Sequence, residues 1–216
     1  MSAYTYNTTK SKGGVFLHFF TYSDTELEHL RQCDAKLRGA IDRIGPVKRA
    51  VRPDLFESLV SSIISQQISG KAADTVSARL TALCGGVTPE RVCALSAEAI
   101  QKCGMSMRKA TYIKSVAELV FSGGFDLGGL RALRDDDVRR QLSSLPGIGV
   151  WTAEMLMIFS MQRPDIISYL DLGIRRGMMR LYGLDALDKD TFERLSAPYA
   201  PHRSLASLYL WHMASE

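Results

Sequence analysis

Paired metal ligands are absent from this sequence. Its four cysteines contain no C-x-x-C pair, and its four histidines are scattered without an H-E-x-x-H pair. Such spacing fits neither a zinc knuckle nor an iron–sulfur loop, and it argues against a catalytic metal held by side chains. We therefore predict that no cofactor is required. Isolated cysteines in apolar segments also predict buried free thiols in a reducing compartment.

Long apolar runs are missing as well. No stretch approaches the roughly 20 residues that cross a bilayer, and the N-terminal MSAYTYNTTKSKGG lacks the apolar centre of a secretory signal. The composition, 46% hydrophobic and 23% charged, is ordinary for a globular protein. We expect a soluble intracellular protein that has no membrane partner. The net charge of +4 is compatible with a polyanionic partner but does not require one.

The remaining pattern is helical throughout. A long helix is predicted from Ser23 to Gly45, and a nearly enclosed central helix from Pro53 onward; Thr88 and Ser96 are predicted helix N-caps. No stretch alternates apolar and polar residues as a half-buried strand would. The prediction is an all-α fold of roughly ten helices.

A glycine-rich turn, LPGIG at residues 145–149, separates two stretches of helical pattern. Its proline fixes φ, and its glycines permit positive φ and a close approach to another molecule. Bare backbone N–H groups at the start of a helix form an anion site. Backbone donors contact phosphate without reading bases, so we predict sequence-independent binding to DNA. A simple turn between helices, without a ligand, remains the alternative.

The string LPGIGVWTAE, followed by DLGIRRG at residues 171–177, resembles the helix–hairpin–helix (HhH-GPD) DNA glycosylase superfamily. Within it the chain is most similar to the compact, single-module enzymes of the 3-methyladenine DNA glycosylase II branch. PDLFESLVSSIISQQISGKAA, GMSMRKATYIKSVAELV and PHRSLASLYLWH agree, and the resemblance covers residues 25–216. It implies one module over residues 1–216 with a poorly defined extension at 1–22. It also implies two closely packed helical lobes, a helix–hairpin–helix motif near residues 135–160, and an active-site cleft between the lobes.

The resemblance implies that Asp171 is the catalytic carboxylate. Taken alone, Asp171 would be the N-cap of the following helix. An alkylated purine is already cationic and leaves without strong acid help, so one carboxylate can stabilise the developing oxocarbenium ion or direct water. Trp151 occupies the position where strand-nicking relatives carry a lysine that forms a Schiff base. The enzyme is therefore expected to release the base and leave an abasic site.

Further site residues follow from the same resemblance. The expected base pocket contains Trp151, Trp211, Met155 and Leu172, the last two at positions that are aromatic in some relatives. The expected DNA contacts are Gln66, Gln67, Ile68, Ser69, Gly147, Ile148, Gly149, Thr152 and Arg203. Gln67 or Ile68 is the expected wedge that fills the space left by the flipped base. The hairpin carbonyls of Ser143, Leu145 and Ile148 are expected to hold a monovalent cation.

Several alternatives stay open at this point. A protein of this fold could act on oxidised, deaminated or mismatched bases, or could bind DNA without catalysing a reaction. Both tryptophans could pack in the core, and the paired glutamines could simply be solvated. The expected partner is double-stranded DNA with damaged bases. The expected state is a monomer located with the DNA, in the cytoplasm or nucleoid of a prokaryote or the nucleus of a eukaryote.

Overall fold

A computed structural model describes residues 9–10 and 16–216 and divides the chain into two compact units. One unit comprises residues 53–156, and the other joins residues 157–216 to the N-terminal part up to Arg52. The described helices are α1 Asp24–Cys33, α2 Ala35–Ile44, α3 Leu55–Ser65, α4 Gly70–Cys84, α5 Pro89–Cys93, α6 Ala97–Gln101, α7 Met107–Phe121, α8 Asp135–Ser143, α9 Val150–Phe159, α10 Leu172–Tyr182, α11 Lys189–Ser196 and α12 Arg203–Ser215. Short 3₁₀ turns lie at Gly129–Ala132 and Ala197–Tyr199. The all-α prediction is confirmed.

The single long helix predicted between Ser23 and Gly45 is wrong. Asp34 adopts an extended conformation, and its Oδ1 accepts the backbone N–H groups of Lys36 and Leu37 at 2.8 Å each. An aspartate in this conformation is an N-cap, because its side chain satisfies donors that the first turn cannot. The chain therefore ends α1 and begins α2 at Asp34.

A small antiparallel sheet was also not predicted. It has the order β1–β2–β3, with β1 at Thr9–Lys10, β2 at Phe16–Phe19 and β3 at Ala50–Val51. The register pairs His18 with Val51 and Phe19 with Ala50. Strands of two to four residues are too short to show the alternation by which a strand is recognised in sequence. The expected extension at residues 1–22 lies mostly outside the described residues, at 1–8 and 11–15.

Helix α3 is enclosed within the unit of residues 53–156. Asp54 caps this helix by accepting the Glu57 N–H at 2.8 Å, and Leu59, Ile63 and Ile64 are at most 1% exposed. The predicted enclosed helix therefore exists, although it starts at Leu55 rather than Pro53. The N-caps predicted at Thr88 and Ser96 are confirmed, because each side chain accepts a backbone N–H of the helix that follows.

In the other unit, α10 packs tightly against α12. A Cβ built on Gly177 of α10 would lie 1.9 Å from the Leu210 carbonyl oxygen of α12. No side chain fits in that space, so glycine permits the two backbones to approach closely. This approach determines which parts of α12 come close to the start of α10.

All four cysteines are free thiols, but only Cys103 is buried. Cys33, Cys84 and Cys93 are half-buried, so the prediction of buried thiols is wrong for these three. No described group of three or more His, Cys, Asp or Glu side chains could hold a metal ion. Among the helices described, none has the length and apolarity needed to cross a membrane. The single-module organisation and the cleft between lobes stay predictions.

Candidate functional site

Asp171 is the N-cap of α10. Its backbone is extended, with φ −81° and ψ 115°, and its Oδ1 accepts the N–H of Ile174 at 2.9 Å. The residue is only 8% exposed, although carboxylates are usually solvated. The capping role is thus real, and it fixes the orientation of a buried carboxylate at the positive end of a helix. Capping and catalysis are compatible uses of one side chain.

Trp211 of α12 contacts the same oxygen. Its indole Nε1–H donates to Asp171 Oδ1 at 2.9 Å, so this oxygen accepts two N–H donors. The indole ring also packs against Phe159, with ring centroids 5.3 Å apart and planes tilted by 31°. The Arg49 guanidinium lies 5.2 Å from the Phe159 centroid. Trp211, expected as a pocket wall, is therefore also a donor that orients the carboxylate.

A cavity of about 610 Å³ borders this tryptophan within the same unit. Apolar groups of Ile44, Pro46, Val47 and Leu208 line it, together with the more polar Lys48, Arg49, His212, Ser215 and Glu216. Apolar walls with a few polar groups are typical of a small-molecule site. Asp171, Leu172, Trp151 and Met155 do not line this cavity, so it does not support the predicted base pocket, and the pocket role of Trp211 stays a prediction.

Two glycines of α10 allow the Trp211 indole to approach the Asp171 carboxylate. A Cβ on Gly173 would lie 2.7 Å from Trp211 Cδ1, and Gly177 is against the Leu210 backbone. The two glycines are four residues apart and so lie on one face of α10. Neither glycine, nor Phe159, was predicted as a site residue from sequence. The spacing of small residues in DLGIRRG was the signal that could have revealed this close approach.

Arg203 faces a carboxylate rather than a solvated surface. Its Nε lies 3.3 Å from Asp165 Oδ1, and its backbone N–H donates to the same oxygen at 3.3 Å. The neighbouring Ser204 is fully buried; its hydroxyl accepts the Ile166 N–H at 3.0 Å and donates to the Arg163 carbonyl at 2.6 Å. Both residues hold the segment that leads to the cap of α10. Phosphate contact by Arg203 stays a prediction.

In the unit of residues 53–156, the 144–149 hairpin joins α8 to α9. Leu145 and Ile148 are buried, and the Ile148 N–H donates to the Leu145 carbonyl at 3.1 Å. Gly147 has φ +81°, and a Cβ there would lie 2.5 Å from the Tyr112 ring. Gly149 is exposed, and its carbonyl accepts the Ala153 N–H in the first turn of α9. The hairpin is thus fixed by its apolar residues and presents backbone at its glycines.

A charged pair fastens the two helices of this motif. Arg139 of α8 places its Nε 3.1 Å from Glu154 Oε1 of α9, and the Glu154 side chain is only 10% exposed. A largely buried ion pair needs good geometry to offset its desolvation, and removing one partner is strongly destabilising. Neither residue was identified from sequence.

The 66–69 loop, which joins α3 to α4, contacts this hairpin. The Gln66 side chain donates its Nε2–H to the Gly147 carbonyl at 2.8 Å. Gln67 has φ +59°, an uncommon value for a residue other than glycine. Ile68 is 42% exposed, and Ser69 caps α4 by accepting the Ala72 N–H. Gln66 is therefore engaged with the protein, whereas Gln67 and Ile68 are presented to solvent.

Large apolar side chains are exposed at several predicted positions. Trp151 is 46% exposed and Leu172 is 49% exposed, which is similar to the 42% of Ile68 in the 66–69 loop. Exposure by itself does not identify a binding surface, because Phe121 and Leu170 are more exposed than any of these three residues. Thr152 is buried and Met155 is half-buried, so these two are less accessible than predicted contacts would be. Whether Trp151 and Met155 line a base pocket stays a prediction.

The expected cation ligands lie around the hairpin. Ser143 ends α8, and the Leu145 and Ile148 carbonyls belong to the turn. Backbone carbonyls are ligands suited to a hard cation, which prefers oxygen donors. The Leu145 carbonyl already accepts the Ile148 N–H, and the cation site stays a prediction.

Comparison with known proteins gives consistent results. Residues 60–201 match the family model described as "HhH-GPD superfamily base excision DNA repair protein". A Schizosaccharomyces pombe protein named DNA-3-methyladenine glycosylase 1 is 31% identical over 191 residues, 85% of this chain and 84% of that protein. The crystal structure of a Bacillus halodurans DNA-3-methyladenine glycosidase is similar with a TM-score of 0.84 and 38% identity, covering 91% of this chain and 92% of the other. The structure of a Schizosaccharomyces pombe 3-methyladenine DNA glycosylase in complex with abasic DNA is similar with a TM-score of 0.69 and 30% identity. The match covers 87% of this chain and 95% of the other.

Proposed function

Because the chain belongs to the HhH-GPD superfamily of base excision DNA repair proteins, we propose that it is a DNA glycosylase that releases alkylated bases. The observation that carries the proposal is the buried carboxylate of Asp171. Its Oδ1 is fixed by the Ile174 N–H and the Trp211 indole N–H, each at 2.9 Å. A fixed, partly desolvated carboxylate is suited to stabilise positive charge that develops on a substrate.

The chemistry needs one carboxylate. An alkylated purine carries a positive charge and is a good leaving group, so cleavage of the N-glycosidic bond leaves an oxocarbenium-like sugar. Asp171 would stabilise that cation or direct the water that attacks it. Water then supplies the hydroxyl group at the sugar carbon, and its remaining proton is released to solvent. The products are the free base and an abasic site.

The absence of an amine at position 151 supports a monofunctional reaction. A tryptophan cannot form the Schiff base through which a glycosylase also breaks the strand. The exposed indole of Trp151 is suited instead to contact a flat base, and an electron-deficient alkylpurine is attracted to its face. Met155, Leu172 and Trp211 are the further residues that we propose contact the base.

DNA binding would come mainly from backbone groups. The hairpin around Gly147, Ile148 and Gly149, with Thr152 at the start of α9, would bind phosphate through N–H groups without reading sequence. A cation on the Ser143, Leu145 and Ile148 carbonyls would add a positive charge there. The target base must leave the stack to reach the site, and the exposed Ile68 or Gln67 would fill the space it leaves.

The names of the relatives support 3-methyladenine as the first lesion to examine, and we propose 7-methylguanine as the second. We further propose that the protein acts as a monomer, in whichever compartment holds the DNA. The test is single-turnover incubation with duplexes that carry either lesion, measuring free base and abasic sites. Release of base with an intact strand is expected. No release from either duplex would overturn the proposal, and a borohydride-trapped adduct would overturn its monofunctional part.

A further inference from the structure

Lys109 of α7 binds the end of the helix that leads into the 66–69 loop. Its Nζ donates to the Ile64 carbonyl at 2.8 Å and to the Gln66 carbonyl at 2.5 Å. These carbonyls lie at the C-terminus of α3, where the helix dipole favours a cation. The side chain is half-buried, and this burial, followed by the nearby Arg108 charge, lowers the pKa of Lys109. Lys109 thus places a cation in a partly desolvated position.

Gln66 connects this lysine to the hairpin. Its carbonyl accepts from Lys109, whereas its side chain donates to the Gly147 carbonyl at 2.8 Å. One turn after Lys109 on α7, Tyr112 lies against Gly147, so a single helix supports both elements. The loop and the hairpin, 81 residues apart in sequence, are therefore tied through one glutamine.

Besides this tie, the loop is supported by local bonds: the Ile68 N–H donates to the Ser65 carbonyl at 3.4 Å, and Ser69 caps α4. Gln67 has a positive φ, which a residue with a Cβ adopts at a cost unless its surroundings impose it. Residues 67–69 are exposed and pack little. The carbonyl that Lys109 holds immediately precedes Gln67. Release of that carbonyl would allow the exposed residues to change direction.

We propose that Lys109 and Gln66 form a clamp that holds the 66–69 loop in fixed register with the hairpin, which makes Lys109 a positioning residue for base flipping. The inference rests on the proposed function, because it assigns a role in delivering the target base. Phosphate binding at the hairpin and insertion of Gln67 or Ile68 would then occur at a set separation. A phosphate held by one element determines where the wedge enters the duplex.

The alternative is that Lys109 only caps α3. A cap would affect stability and every activity alike, whereas a positioning residue affects insertion. α7 offers a matched control in Lys114, which also donates to a backbone carbonyl, that of Cys93, but away from the loop and the hairpin. Lys109→Met and Lys114→Met each remove one ammonium group and keep an apolar stem of similar length.

The experiment uses duplexes in which 2-aminopurine lies beside an abasic site, so that unstacking by the bound protein raises fluorescence. At protein concentrations that saturate the duplex, Lys109→Met should lose most of the increase, and Lys114→Met should retain it. Single-turnover base release should fall about tenfold or more for Lys109→Met, as expected when bonds from a charged donor are lost. Lys109→Arg should recover part of both signals.

Gln66→Leu provides a second variant, which removes only the bond from the side chain to the Gly147 carbonyl and keeps the backbone carbonyl that Lys109 binds. It should reproduce the fluorescence loss, and the double variant should be little worse than either single change because the two bonds act in series between α7 and the hairpin. Equal fluorescence from Lys109→Met and Lys114→Met, or strictly additive losses, would overturn the inference. A wild-type protein that unstacks the duplex but releases no base would instead overturn the proposed function.

Discussion

The two units present their proposed functional groups in opposite ways. Near Asp171 the proposed acting group is a side chain, buried and fixed by two N–H donors in a region where glycines bring helix backbones together. At the 144–149 hairpin the proposed acting groups are backbone atoms, which the glycines leave uncovered by side chains. The difference follows from what each group is proposed to do, which is to stabilise charge in one unit and to bind phosphate in the other. Charge stabilisation requires an oriented and partly desolvated group, whereas phosphate binding requires accessible donors.

The largest effect should come from Asp171→Asn. Asparagine is also a good N-cap and can keep both hydrogen bonds, so only the charge is lost. Base release should fall about a thousandfold, the scale of losing a principal electrostatic stabiliser, with DNA affinity and unfolding temperature unchanged. Single-turnover kinetics give the rate. Asp188→Asn is the control, because Asp188 caps α11 in the same manner by accepting the Thr191 N–H at 2.8 Å.

An Asp171→Asn variant as active as the wild type would remove the carboxylate from the mechanism. Equal losses in both variants would mean that helix capping, rather than charge at the reaction centre, accounts for the effect.

The next effect concerns the close approach of α10 and α12. Gly177→Ala would place a Cβ 1.9 Å from the Leu210 carbonyl oxygen, so the helices must separate. We expect a loss of about 2–3 kcal/mol in the free energy of unfolding, the scale of an overpacked core, measured by urea denaturation. Gly39→Ala in α2 is the control, with nothing within 4 Å of the added Cβ. It should stabilise by about 0.5–1 kcal/mol because alanine is a better helix former.

A lower free energy of unfolding for Gly177→Ala, together with a higher one for Gly39→Ala, would show that the destabilisation comes from the contact between α10 and α12. A Gly177→Ala protein with unchanged stability would show that α10 and α12 have room to separate.

Sequence revealed the two elements whose signal is local. Asp171 and the LPGIG turn each lie within a short motif, and the resemblance that these motifs carry is confirmed by the family match. The donors around Asp171 were missed because Trp211 lies 40 residues away, so the contact depends on how α10 packs on α12. The break at Asp34 was missed for another reason. Apolar residues on both sides keep a helical period, so periodicity outweighed a local capping signal.

Trp211→Phe tests one of those missed contacts. Phenylalanine keeps an aromatic ring beside Phe159 but loses the Nε1–H that donates to Asp171. A hydrogen bond to a charged group contributes about 1.5 kcal/mol at the low end, so the release rate at saturation should fall about tenfold. The DNA concentration that gives half the maximal rate should change little. If the DNA concentration for half the maximal rate rises while the rate at saturation stays the same, Trp211 binds the base rather than orients Asp171.

The smallest effect should come from the hairpin, where the two glycines differ. Gly147→Ala puts a Cβ 2.5 Å from the Tyr112 ring at a φ of +81°, whereas Gly149→Ala meets nothing within 4 Å. Strain of this kind costs about 1 kcal/mol or more, so Gly147→Ala should weaken duplex binding roughly fivefold. Because backbone donors do not read bases, fluorescence anisotropy should give the same factor for damaged and undamaged duplexes. Gly149→Ala strains nothing within the protein, so it should weaken binding only by placing a Cβ near the phosphate and should leave the unfolding temperature unchanged. A loss confined to damaged duplexes in Gly147→Ala would move Gly147 from the phosphate site to lesion recognition.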